Sequence, residues 1–108
     1  MAIGLDRETL VQVLTEFVDS DYAKRLYEEC NVRPLIGCPA GDRIKIMFDQ
    51  VKLEDTFVTV RLHRVFEQRS EKLLRQLVIH LRARMPKLER LLYEAKSPPS
   101  TRTIIMSR

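Results

Sequence analysis

Residues 43–68 decide what this chain can fold into, because the same side chains satisfy two incompatible periods. Ile44, Met47, Phe48 and Val51 follow helical spacing, and Val58, Leu62, Val65 and Phe66 repeat it further on. Yet Ile44, Ile46 and Phe48 also alternate, as do Val58, Val60 and Leu62, which describes a β-hairpin over 43–62 turning at Glu54-Asp55. The β-branched residues favour the hairpin. Against it, the second stripe runs without a breaker to Gln68, and the turn has neither glycine nor asparagine. The helical reading carries the greater weight, and with it an all-α chain.

The flanking segments read as helices more simply. Asp6 is placed to cap a first helix whose Leu10, Val13, Leu14 and Phe17 form one apolar stripe. The Asp-Ser-Asp cluster at 19–21 caps a second, with Tyr22, Ala23, Leu26, Tyr27 and Cys30 inward, and Asn31 and Pro34 close it. Two prolines and two glycines make 34–41 a loop, and Asp42 caps the third helix. Ser70 caps a fifth helix carrying Leu74, Leu77, Val78, Leu81 and Met85. Pro86 suits the first turn of a sixth, with Leu88, Leu91, Leu92 and Ala95 inward. The expectation is a compact antiparallel six-helix bundle over 1–96, followed at 97–108 by a flexible tail or the start of a linker.

Charge is divided along this chain. Residues 1–60 hold seven Lys/Arg against eleven Asp/Glu, whereas 61–108 hold twelve against four, giving the net +4 of the whole. Opposite charge on two faces of a small domain favours contact between copies. At 108 residues the chain is one domain with a single modest core. No apolar run approaches the roughly 20 residues that span a bilayer, and the start lacks a basic region followed by an apolar stretch. A cytoplasmic location and no membrane partner are expected, with Cys30 and Cys38 as reduced thiols.

The succession Glu-Phe-Val-Asp-Ser, Tyr-Ala-Lys-Arg-Leu-Tyr-Glu-Glu-Cys, a loop, Gly-Asp-Arg-Ile-Lys-Ile-Met-Phe-Asp-Gln-Val and Asp-Thr-Phe-Val-Thr-Val-Arg-Leu-His-Arg-Val-Phe resembles the death-fold superfamily. It is most similar to caspase-recruitment domains and to bacterial effector-associated domains, over about residues 5–96, and most specifically from Asp42-Arg43-Ile44 to Phe66. The Arg-x-Asp-Leu signature of death-effector domains is absent. The resemblance implies a homotypic adaptor in signalling or immune-type assembly, binding itself or another death-fold domain as an oligomer or filament. It places Asp19, Asp21, Glu28 and Glu29 on an acidic face and Arg61, Arg64 and Arg69 on a basic one. Phe57, pointing outward beside Arg61 and Arg64, would anchor that contact.

A nucleic-acid surface is the alternative. Lys72, Arg75, Arg82, Arg84, Lys87 and Arg90, with Arg61, Arg64 and Arg69, could follow a phosphate backbone, and a real hairpin at 43–62 would allow a winged-helix arrangement. Catalysis is not expected. Neither His63 nor His80 has a Ser or Cys at a spacing that suggests a nucleophile and base, and Cys30 and Cys38 do not match a zinc pattern. No cofactor, metal or glycine-rich phosphate cradle is expected.

Overall fold

A computed structural model describes residues 5–33, 37, 39–96 and 99–106. Among these, the chain forms four α-helices, a 3-10 turn and a four-stranded sheet, not the all-α six-helix bundle. The helices are α1 (Arg7–Val18), α2 (Asp21–Glu29), α3 (Ala40–Ile44) and α4 (Ser70–Arg84); the strands are β1 (Phe48–Glu54), β2 (Phe57–Leu62), β3 (Arg90–Lys96) and β4 (Pro99–Ile105).

The first two helices form where local signals ask for them. Asp6 accepts a hydrogen bond from the Thr9 amide at 2.6 Å, and Ser20 accepts one from the Ala23 amide at 3.2 Å. Asn31, at φ +57°, ends α2. Its amide bonds the Glu28 carbonyl and that of Val32 bonds Tyr27, the paired closure that a left-handed residue permits. The Tyr27 hydroxyl then ties α2 to α1 by donating to the Val18 carbonyl at 2.9 Å.

The helical expectation fails over 43–62. Beyond the five-residue α3, which takes in Ala40 and Gly41 from the expected loop, β1 and β2 form an antiparallel hairpin with Glu54 opposite Phe57. Asp55 supplies the turn at φ +47°, a conformation that a short polar side chain tolerates almost as asparagine does. Burial follows period two: Val58, Val60 and Leu62 are buried, whereas Val65, inward on the helical reading, is 47% exposed. The rest of that expected fourth helix is a 3-10 turn, Arg64–Arg69.

Two further corrections lie downstream. The expected sixth helix is instead β3, with Leu91 and Tyr93 buried on alternate positions and Leu92 facing the other way. Pro99–Ile105, expected as tail, is strand β4, consistent with the β-branched run Thr-Arg-Thr-Ile-Ile. The remainder of the 34–41 loop, Cys38 and the chain end fall wholly or partly outside the described residues.

The sheet order is β1-β2-β3-β4, antiparallel except for the parallel β2–β3 pair. A parallel pair needs a crossover, and the 3-10 turn and α4 provide it. Leu73, Leu74, Leu77, Val78 and Leu81 of α4 are buried with Val58, Val60, Leu62 and Leu91 of the sheet and with Leu10, Leu14 and Phe17 of α1. The helices therefore form one layer against one sheet face. The smallest extent of the molecule, 19 Å, is that of two layers.

Candidate interaction surface

The charge division seen along the sequence is bridged inside one copy by three ion pairs. Glu29 of α2 pairs with Arg69, Glu16 of α1 with Arg84 at 2.5 Å, and Asp49 with Lys96 at 2.8 Å. Each joins an acid from the first 60 residues to a base from the remainder. Ion pairs open to solvent in this way contribute little to stability, because water and salt screen them. Lys96 donates to Asp49 and holds its carboxyl below the usual carboxylate range.

This redistributes the expected contact residues. Glu29 and Arg69, expected on opposing faces of two molecules, bind one another, and Asp19 is held by Arg43 at 3.0 Å. Asp21 and Glu28 remain exposed on α2, and Arg64 is exposed in the 3-10 turn. Phe57 is half-buried on the sheet face turned away from the helices, and Arg61 shares that face while reaching Glu94 at 3.7 Å. The two stand four strand residues apart, about 13 Å; the one-turn cluster expected with Arg64 does not form.

The expected basic track is also divided. Arg82 donates to the Met106 carbonyl at 3.1 Å, Arg84 is held by Glu16, Arg61 and Arg90 lie on the sheet, and Lys72 and Arg75 face α2. His63 and His80 donate to the backbone carbonyls of Lys45 and Val13, at 2.5 and 2.7 Å. Among the described residues no cluster of three or more His, Cys, Asp or Glu side chains is arranged for a metal ion, and no helix is long and apolar enough to cross a membrane.

The surface that sequence reasoning missed is the far side and edge of the sheet. No described element covers the face opposite the helices, where register aligns Thr59, Leu92 and Thr103, then Phe57, Arg90 and Ile105, and where Arg61 reaches Glu94, the partner of Thr101. Strand β4 forms its outer edge. The Met106 amide donates inward to the Glu89 carbonyl at 2.7 Å. Antiparallel ladders alternate, so Ile104, Arg102 and Ser100 also direct their amides and carbonyls inward, to β3. Thr101, Thr103 and Ile105 then direct theirs outward, away from the sheet. Of these outward groups the Ile105 carbonyl accepts a hydrogen bond from the Arg82 guanidinium at 3.4 Å.

Compared with family models, curated proteins and solved structures, the chain matches none.

Proposed function

We propose that this protein is an interaction module that binds a second copy of itself through β4. The observation supporting the reading is the outer edge of that strand, which no described strand pairs and where the Arg82 guanidinium reaches the Ile105 carbonyl at its end. An unpaired strand edge is a template for another strand, and natural sheets usually blunt it with charge, bulges or cover. Strand β4 carries one charge, Arg102, and pairs with β3 without a bulge.

The edge is also self-complementary. In a two-fold antiparallel pairing centred on Thr103, the two Thr103 residues exchange both hydrogen bonds, and each Ile105 amide meets a Thr101 carbonyl. Arg102 lies opposite Ile104 in that register. Centring on Arg102 instead would set two guanidinium groups directly opposite, which is unfavourable. The Thr103-centred pair joins two four-stranded sheets into one and leaves β1 as both outer edges. Assembly therefore closes at the dimer.

The test is sedimentation velocity over a wide concentration range. Wild type is expected to pass from monomer to dimer. Thr103→Pro, which removes an outward amide and leaves the β3 ladder intact, is expected to stay monomeric with an unchanged circular dichroism spectrum. A wild type that is monomeric throughout, or a Thr103→Pro variant that dimerises equally well, contradicts the reading.

A further inference from the structure

The molecule also carries a concave site that the edge does not use. A cavity of about 450 Å³ lies between α2 and the start of α4. Arg25, Arg69, Lys72 and Arg75 line it against Glu29 and Glu71. The two carboxylates are already engaged, Glu29 with Arg69 and Glu71 with Arg75 at 3.8 Å. Arg25 and Lys72 have no ion-pair partner among the described residues.

Two cations without counter-charges thus converge from different helices on one concavity, where the field is stronger than over a convex surface. Tyr22 adds a ring set against Phe17, with centroids 6.1 Å apart, and a hydroxyl that can donate. Burial, followed by the charge of Glu29, raises the Tyr22 hydroxyl above its ordinary value against the opposing influence of Arg69, so it stays protonated at neutral pH.

We propose that the α2–α4 groove binds a small molecule bearing a phosphate or diphosphate group, held by Arg25 and Lys72 with Arg69 and Arg75 at its flanks. Guanidinium suits this chemistry because its planar fork offers paired donors to phosphate oxygens, while the lysine ammonium acts as a mobile point charge. Glu29 and Glu71 orient the flanking arginines and would repel an anion that strayed onto them, confining it to the Arg25–Lys72 span. The cavity volume falls within the range of small-ligand sites.

The test is titration of the isotope-labelled full chain with inorganic phosphate and with pyrophosphate at fixed ionic strength, read by amide chemical shifts. Saturable shifts confined to residues 22–29 and 68–75 are expected, tighter for pyrophosphate. Arg25→Gln and Lys72→Gln should each weaken binding about tenfold, whereas Lys87→Gln, exposed and outside the groove, should not. Both groove side chains are exposed, so the variants should fold, and their spectra verify it. The absence of saturation, shifts spread over all cationic surfaces, or an equal loss in Lys87→Gln would overturn the proposal. The same titration of Thr103→Pro should give the same affinity, since the groove does not depend on β4.

Discussion

The two edge strands of the sheet are treated oppositely. Strand β1 has an irregular register between Phe48 and Gln50, places the Asp49 carboxylate there, and exposes Lys52 and Glu54 further along. Helices α1 and α3 also stand beside its first half, where Leu10, Leu14 and Ile44 line a cavity with Phe48 and Val51. Strand β4 has one charge, a continuous register, a proline only at its first position, and Ile105 66% exposed. A bulge, charges and adjacent helices all discourage strand addition. Their concentration on β1, against only Arg102 and the Arg82 contact at β4, is what the proposed pairing through β4 requires.

The comparison can be broken most forcefully at Ile104. Its amide points inward, so Ile104→Pro removes a ladder bond to β3 and should destabilise the fold by about 1–3 kcal/mol. Thr103→Pro, one residue away, should abolish the dimer while leaving thermal stability nearly that of wild type at concentrations where wild type is monomeric. Equal loss of stability in the two variants would show that the alternation assigned to β4 is wrong. Next in size is Thr103→Lys, which gives β4 the kind of guard that β1 has. Two ammonium groups would meet at the dimer axis, and sedimentation should show association weakened at least about tenfold.

The converse change sharpens the same contrast. Replacing both Lys52 and Glu54 by Thr removes charges from β1, and light scattering should then detect species larger than a dimer. A variant that still stops at the dimer would assign the protection of β1 to its bulge and helices instead.

The smallest effect concerns Asp49 and pH. Its folded-state pKa lies below the ordinary 3.8, so its contribution is present above that value and lost as pH falls through the lower folded value. In Asp49→Asn the stability-versus-pH curve should be flatter on the acid side, below about pH 4, than in wild type. An identical acid limb in urea titrations would mean that the Lys96 contact does not survive in solution.

What was legible in the sequence was local. Asp6, Ser20 and Asn31 act within one helical turn, so α1 and α2 follow from their caps and stripes, and the stripe from Leu74 to Leu81 located α4. The hairpin is visible as alternation, but the helical stripe from Val58 to Phe66 and a turn without glycine or asparagine outweigh it in the sequence; Asp55 in the left-handed region supplies the turn. Strand β3 was hidden for another reason. Leu88, Leu91, Leu92 and Ala95 fit a helix in isolation, and only simultaneous pairing with β2 and β4 selects the extended form. The charge division was plain in the sequence but its destination was not. Glu29 meets Arg69 across 40 residues and Glu16 meets Arg84 across 68, separations that only the completed fold closes. The β4 edge was signalled by Thr101, Thr103, Ile104 and Ile105, a β-branched run that a flexible tail does not need.

Amide hydrogen exchange along β4, measured at low and at high protein concentration, tests the central claim most directly. The amides of Arg102 and Ile104, bonded to β3, should exchange slowly at both concentrations. Those of Thr101, Thr103 and Ile105 should exchange fast when the protein is dilute and become protected as its concentration rises. Outward amides that remain fast at every concentration would contradict pairing through this edge.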